Sequence, residues 1–357
     1  MLFLLLKVSG LSVTKGRLKD VLLLLIGFGL AGCAGLQNSP SKLSAEGDSL
    51  PPANEFHQPK PWGNGAESFP YARWLSTGQR TKGVVIFAPG WDGTMSDYAM
   101  LAEYLSKHGY AVYGSEGRAG VFDPEKQRWG DMVNYSDWVN DLEGFTKFVA
   151  RKCPGLPIFY HRHSLGTLVA AETTAEAMHR DGFVHPKGLI LHSMAMPALR
   201  DKKNPVIHGL LDSIAWMRFP LVKLAEITHK GPMGDPDLNS CWLHSSDRLP
   251  RGYTLRYVSQ VAALGRAVWK SSAALRLPVL ALEGEKDNVV APTDAEKWRY
   301  DQFLRYRLAG GDATVIRYHE GFHLLTLPRT GNPKLDNTTE QALRDITQWL
   351  DLQVASE

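Results

Sequence analysis

The chain has 357 residues, of which 44% are hydrophobic and 22% charged, a composition that is ordinary for a globular protein and unlike that of a disordered chain. It carries 40 basic and 37 acidic residues. Four of the basic residues and one acid fall within residues 1–32, so the remainder holds 36 of each. A neutral remainder offers no basic face, and we therefore expect no nucleic-acid partner.

Residues 1–33 are typical of an export signal. A basic stretch around Lys15 to Lys19 precedes an apolar run, Val21 to Leu30, that is too short to span a bilayer. Leu30-Ala31-Gly32-Cys33 follows and resembles a bacterial lipoprotein signal box, in which small residues admit the peptidase and the cysteine thiol takes the lipid. We therefore predict a lipid on Cys33 and a membrane anchor in the cell envelope, at the periplasmic side of the outer membrane in a Gram-negative source. The alternative is a plain signal anchor with an incidental cysteine.

Residues 34–65 are rich in Ser, Pro, Asn and Gly and predict a flexible linker. The domain that follows, residues 66–355, shows strands that alternate with helices. Strands are predicted at residues 69–75, 83–88, 110–113, 156–160, 188–192, 279–282 and 315–318. Helices are predicted at residues 96–108, 138–149, 168–178 and 337–354. This alternation predicts an α/β fold with a mostly parallel central sheet flanked by helices, and active sites of such sheets lie at the carboxyl ends of the strands.

Residues 197–275 interrupt the alternation. The segment 206–227 is strongly apolar, a Gly- and Pro-containing stretch follows it, and residues 253–274 again show a helical pattern. We interpret 197–275 as a helical cap insertion over the cleft.

The segment Ile158 to Thr167 predicts a nucleophile elbow, in which a strand, a sharp turn and a helix follow one another. Ser164 stands at the apex, where its hydroxyl would point into a cleft and the N–H of Leu165 would face the reacting carbonyl. Gly166 supplies the small residue that close packing of strand and helix needs. Arg162 departs from the pattern, because a glycine usually occupies that position.

A serine nucleophile needs a histidine to take its proton and an acid to orient that histidine, in the chain order Ser, acid, His for this kind of sheet. Asp287 follows the strand 279–282, with Glu285 as a nearby competitor. His323 follows the strand 315–318, with His319 as the alternative.

Two further expectations concern ligands and cross-links. His161 and His163 are spaced as on one strand face and could suggest a metal, but no third ligand lies near them in sequence, so we expect no metal. A serine nucleophile with a histidine and an acid also needs no organic cofactor. Cys153 and Cys241 lie far apart on the predicted sheet, so we expect no disulfide between them.

The order of these motifs resembles the α/β-hydrolase family, specifically its monoacylglycerol lipase and lysophospholipase-like branch of the serine aminopeptidase type, over residues 69–350. The segments that carry the resemblance are Tyr71-Ala-Arg-Trp-Leu, Gly83-Val-Val-Ile-Phe-Ala-Pro-Gly-Trp, His163-Ser-Leu-Gly, Gly284-Glu-Lys-Asp and Gly321-Phe-His. The resemblance implies a catalytic triad of Ser164, Asp287 and His323 and an oxyanion hole formed by the N–H groups of Trp91 and Leu165. It also implies hydrolysis of acyl esters of the monoacylglycerol or lysophospholipid type through an acyl-enzyme.

Three departures from that branch accompany the resemblance. Pro89 replaces a histidine before Gly90, Glu116 replaces an aspartate, and Arg162 replaces the first glycine of the elbow. We expect Arg162 to pair with an acid, and Glu116 is the candidate, with exposure of the charged end to water as the alternative. A catalytically weakened protein that binds lipid or a protein partner is therefore the alternative function, and peptide, amide or acyl-transfer chemistry is a third.

Overall fold

The computed structural model describes residues 55–57, 71–76, 80–88, 90, 95–120, 123, 129–195, 220–222, 252–287, 289–290, 294–326 and 332–356. Eight of the described strands form one sheet in the order β1-β2-β4-β3-β5-β6-β9-β10. Their bounds are β1 Glu55–His57, β2 Tyr71–Trp74, β3 Gly83–Ala88, β4 Tyr110–Ser115, β5 Ile158–His163, β6 Gly188–His192, β9 Val279–Gly284 and β10 Thr314–Tyr318.

The sheet is mostly parallel, as the alternation of strands and helices predicts. β4, β3, β5, β6, β9 and β10 pair in parallel, whereas β2 pairs antiparallel with β4 and β1 antiparallel with β2. The residues of β3, β4, β5, β6 and β9 are all buried, which agrees with a parallel sheet covered on both faces. The carboxyl ends of the parallel strands therefore meet along one edge.

Six described helices cover the two faces. They are α1 Ala99–Lys107, α2 Ser136–Lys152, α3 Leu165–Ala177, α4 Leu255–Ser271, α5 Asp294–Tyr306 and α6 Pro333–Ala355. Side chains of α1 and α6 form one core cluster with one face of the sheet, and those of α2, α3, α4 and α5 form a second cluster with the other face. The layered architecture predicted from the sequence is thus confirmed.

α3 is the most deeply placed of these helices. Nearly all of its residues are buried, and they are mostly Ala, Thr and Gly. Small side chains let a helix lie close to the sheet and to neighbouring helices on several sides. The helix starts two residues after the end of the central strand β5, at the edge of the sheet where the carboxyl ends of the parallel strands meet.

The predicted cap falls mostly outside the described residues, as do the predicted signal, Cys33 and the linker 34–65. Within the described part, β7 (Pro220–Val222) pairs antiparallel with β8 (Gly252–Thr254), and α4 begins at the next residue. Tyr257, Leu264 and Val268 of α4 are buried in the same core cluster as α3. No helix in the described part of the chain is long and apolar enough to cross a membrane.

Candidate active site

Ser164 lies between the end of β5 and the start of α3 in a strained backbone conformation, with φ 49° and ψ −122°. A positive φ in a residue other than glycine costs about 1–3 kcal/mol and persists only when the surroundings impose it. Three backbone hydrogen bonds do so here. The N–H of Ser164 donates to the carbonyl of His192 at 3.0 Å, and its carbonyl accepts from the N–H groups of Thr167 at 3.0 Å and Ala195 at 3.3 Å. The predicted elbow is therefore present in the backbone.

The loop after β3 approaches the elbow closely. A Cβ atom on Gly90 would lie 2.7 Å from the Cβ of Ser164, closer than real Cβ atoms come, and 3.0 Å from Nδ1 of His163. Glycine at position 90 is thus what lets this loop reach Ser164. Trp91, the expected second donor of the oxyanion hole, lies outside the described residues. Leu165 is the first residue of α3, where N–H groups have no partner within the helix.

Asp287 and His323 form a buried pair on the loops that follow β9 and β10. Nδ1 of His323 donates to Oδ2 of Asp287 at 2.7 Å, a proton position inferred from the carboxylate partner. Oδ1 of Asp287 accepts from the N–H groups of Val289 at 2.8 Å and Val290 at 3.1 Å. Burial raises the pKa of Asp287, but the imidazole of His323 and these hydrogen bonds outweigh it, so the pKa lies below its ordinary value. Asp287 is therefore a charged acceptor that holds the ring of His323.

The two alternative residues pair with each other instead. Nδ1 of His319 lies 2.8 Å from a carboxylate oxygen of Glu285, and the side chain of His319 is 82% exposed. The same two loops thus carry one buried acid–histidine pair and one exposed pair. The structure brings Asp287, and not Glu285, to His323.

Close backbone contact joins these two loops. A Cβ atom on Gly284 would lie 2.4 Å from the carbonyl oxygens of both Gly321 and Phe322. The N–H of Lys286 also donates to the carbonyl of Gly321 at 2.9 Å. Glycine at the end of β9 therefore lets the histidine loop rest directly on the acid loop.

Three more histidines, which reasoning from the sequence did not assign to the site, lie buried beneath it. Nε2 of His163 donates to the carbonyl of His323 at 2.9 Å, and Nε2 of His192 accepts from the N–H of Leu325 at 2.9 Å. Burial lowers the pKa of His161 to about 3 and the pKa values of His163 and His192 well below their ordinary value. These imidazoles are therefore neutral. Within the described ranges, no group of three or more His, Cys, Asp or Glu residues is arranged to hold a metal ion.

Arg162 points to the face of the sheet opposite to the three histidines. Contrary to the expectation from the sequence, it does not pair with Glu116. β3 lies between β4 and β5, so Glu116, at the end of β4, is not on the neighbouring strand. Its Oε1 accepts instead from the N–H of Met95 at 3.0 Å. Arg162 is buried, its guanidinium lies 5.9 Å from the ring centre of Tyr160, and burial lowers its pKa to about 10. The elbow keeps its backbone conformation with this buried cation next to it.

A cavity of about 350 Å³ adjoins Asp287 on the α5 side, and its lining includes Ser193, Glu283, Tyr300 and Arg317. Glu283 is buried near the end of β9, where Nε of Arg317 lies 3.3 Å from its carboxylate. Burial raises the pKa of Glu283 to about 7, although the guanidinium of Arg317 opposes the shift. A second acid near the site is thus protonated at mildly acidic pH.

A family model described as serine aminopeptidase, S33, matches residues 79–328 of the chain. The search of curated proteins found no match to the chain. Among solved structures, the chain is similar to the monoacylglycerol lipase of Paleococcus ferrophilus, with 18% identity, a TM-score of 0.59, and coverage of 79% of this chain and 98% of that chain.

Two further structures are similar over comparable lengths. A soluble variant of monoglyceride lipase from Saccharomyces cerevisiae, in complex with a substrate analog, gives 19% identity and a TM-score of 0.64 over 88% of this chain and 99% of that chain. A thermostable carboxyl esterase from Bacillus coagulans, in complex with glycerol, gives 14% identity and a TM-score of 0.62 over 84% and 98%. At these identities the likeness establishes the fold, which is the predicted α/β-hydrolase fold.

Replacing the buried carboxyl, Glu283→Gln, should change how stability depends on pH. The pKa of Glu283 rises on folding from its ordinary value of 4.5 to about 7, so its contribution to stability is complete below pH 4.5 and is lost as pH rises through 7. The amide resembles the protonated acid at every pH. Relative to wild type, the variant should therefore gain roughly 3 kcal/mol of unfolding free energy between pH 4.5 and pH 8, measured by urea unfolding.

The matched control is Glu103→Gln, which changes an exposed glutamate on α1. At pH 8 the unfolding free energy of Glu103→Gln should differ from that of wild type by much less than that of Glu283→Gln does. A Glu283→Gln difference from wild type that does not change between pH 4.5 and pH 8 would contradict a buried, protonated carboxyl.

Proposed function

The chain belongs to the serine aminopeptidase, S33, family of α/β hydrolases, and we propose that it is a serine ester hydrolase acting on acyl esters of the monoacylglycerol or lysophospholipid type. The observation that carries the proposal is the buried Asp287–His323 hydrogen bond of 2.7 Å at the same sheet edge as Ser164. The positive φ of Ser164 adds to it, because strain of this kind concentrates where a side chain must be presented to a substrate.

In the proposed mechanism, Oγ of Ser164 attacks the ester carbonyl carbon while Nε2 of His323 takes the serine proton. Asp287 accepts the Nδ1–H bond, which fixes the ring orientation and stabilises the imidazolium. The N–H groups of Leu165 and Trp91 receive the oxyanion. His323 then gives its proton to the departing alcohol, and the acyl group remains on Ser164. Water, deprotonated by His323, attacks the acyl-enzyme and releases the carboxylic acid and free serine.

Two observations support a lipid-like substrate. The similar structures include a monoglyceride lipase in complex with a substrate analog and an esterase in complex with glycerol. The sequence 206–227, most of which lies outside the described residues, is apolar enough to accept an acyl chain. A monoacylglycerol combines a glycerol head with one acyl chain, so it has a counterpart for each of these observations.

Ser164→Ala should lower ester turnover by at least about 10³-fold, because the triad acts as one unit and the remaining groups leave only residual catalysis. Labelling by a fluorophosphonate probe should disappear as well. Turnover is measured on p-nitrophenyl esters and on monoacylglycerols of several chain lengths, with circular dichroism to show that the fold is kept.

The chain offers a matched control for this serine. Ser193 follows the neighbouring strand β6, also has a positive φ, 45°, and is 1% exposed. Ser193→Ala should keep fluorophosphonate labelling. Asp287→Asn should cripple turnover, whereas Glu285→Gln should not. Turnover near the wild-type value in Ser164→Ala would refute the proposal.

We further propose that the mature protein is held at the membrane by a lipid on Cys33. One acyl chain anchors a protein only marginally, whereas several chains hold it firmly. Cys33→Ala should abolish incorporation of radiolabelled palmitate and block removal of the signal, so that the protein keeps the mass of the precursor in the producing cells. Lipid labelling that persists in this variant would contradict the anchor.

The alternative function, a weakened hydrolase that binds lipid or a partner, is favoured by one observation, the buried cation of Arg162 beside the elbow. Because the elbow keeps its strained backbone beside this residue, we expect wild-type activity, and Arg162→Gly should change kcat by less than about tenfold, a small part of what triad members contribute. A much larger rise in kcat, on the same esters, would show that Arg162 silences the natural protein and would favour the alternative.

A further inference from the structure

His192 is in contact with both halves of the site. It is the last residue of β6 and is fully buried. Its backbone carbonyl accepts the N–H of Ser164 at 3.0 Å. Its imidazole Nε2 accepts the N–H of Leu325, two residues beyond His323, at 2.9 Å. The backbone of His192 thus binds the serine turn, and its side chain binds the histidine loop. His192 and Leu325 are 133 residues apart in the chain.

The bond to Leu325 requires one state of the ring. Nε2 can accept a hydrogen bond only when it carries no proton, so the ring is neutral and its proton lies on Nδ1. The surroundings maintain that state. The rings of His163 and His161 lie 4.8 Å and 5.7 Å away, and burial together with these imidazoles lowers the pKa of His192 well below its ordinary value.

We propose that His192 is a positioning residue that sets the distance between Ser164 and His323. The proposal rests on the proposed function, in which these two residues are nucleophile and base. An apolar residue could fill the space of the ring, but it would leave the buried N–H of Leu325 without its acceptor, at a cost that favours a shift of the loop. A displacement of about 1 Å in a catalytic group can cost about 10²-fold in rate.

His163 strengthens this geometry from the adjacent strand. Its Nε2 donates to the carbonyl of His323 itself, two residues before the bond from Leu325 to His192. The loop is thus held at two points by the ends of β5 and β6. His163 is joined to Ser164 by the peptide bond between them, and His192 is joined to it across the sheet by the hydrogen bond from the N–H of Ser164.

His161 provides a matched control. It is fully buried on β5, its ring contacts that of His192, and neither of its ring nitrogens has a hydrogen-bond partner among the residues that the structure describes. Replacing His161 by leucine changes volume and polarity in the same cluster as replacing His192 does. It removes no hydrogen bond to the histidine loop.

The experiment compares His192→Leu, His192→Gln and His161→Leu in the full chain. We expect His192→Leu to lower kcat on a p-nitrophenyl ester by about 10²-fold with KM within about threefold, because substrate binding is left intact while the reacting groups are displaced. His192→Gln, whose side-chain oxygen can accept from Leu325, should recover at least about tenfold of that loss. His161→Leu should stay within about threefold of wild type.

A second measurement does not depend on turnover. Hydrogen exchange, followed by mass spectrometry on the peptide that covers residues 319–326, should become faster in His192→Leu and stay near wild type in His161→Leu. If His192→Leu does not fold, His192→Phe takes its place, since a phenyl ring keeps the shape and lacks the acceptor.

Two outcomes would overturn the proposal. Equal losses of kcat in His192→Leu and His161→Leu would show that packing alone matters, and unchanged exchange in His192→Leu would show that the loop does not depend on His192. Failure of the proposed function can be told apart from these outcomes, because turnover would then be the same in Ser164→Ala and in wild type. The exchange measurement would still decide whether the loop depends on His192.

Discussion

The backbone conformation of Ser164 is the constraint on which the rest of the site depends. A serine with φ 49° is stable only if its neighbours leave it no alternative, and parallel pairing of β5 with β6 supplies the main restraint by fixing the N–H of Ser164 on the carbonyl of His192. Close approaches at two glycines, Gly90 and Gly284, then bring the loop after β3 and the histidine loop into place. Neither approach would be possible with a Cβ atom, so these close contacts at glycine determine where the two loops lie relative to Ser164.

Burial lowers the pKa of the basic groups on both faces beneath the elbow, but it changes the charge at neutral pH on one face alone. On the face of α1 and α6, burial lowers the pKa values of His161, His163 and His192, so all three rings are neutral. His163 and His192 can therefore hold the histidine loop as a neutral donor and a neutral acceptor. On the other face, Arg162 keeps a pKa of about 10 and therefore stays charged at neutral pH, with the ring of Tyr160 beside it. The sheet itself separates this cation from the imidazoles that position His323.

The sequence predicted the parallel sheet and the places of Ser164, Asp287 and His323 at strand ends, because alternating elements and short post-strand loops are local features. It did not predict the strand order, which depends on tertiary contacts, and the expected pairing of Arg162 with Glu116 was wrong because β3 lies between their strands. β5 was also predicted to end at residue 160, whereas it continues to His163. That extension buries His161 and His163, and the partner of His192 could not be found because Leu325 lies 133 residues away in the chain.

The choice between two acids on one loop shows what decides such a site. Glu285 and Asp287 are two residues apart, each bonds to a histidine of the loop after β10, and the distances are nearly the same, 2.8 and 2.7 Å. The pairs differ in solvation. The side chain of His319 is exposed to solvent, which screens its interaction with Glu285, so an exposed pair of this kind contributes little to stability. Asp287 is buried, so solvent screens its interaction with His323 only weakly. It also accepts two backbone N–H bonds, which fix the orientation of its carboxylate toward His323. Depth of burial, set by the contact of Gly284 with the histidine loop, therefore separates the pair suited to orient a base from the pair that remains a surface interaction.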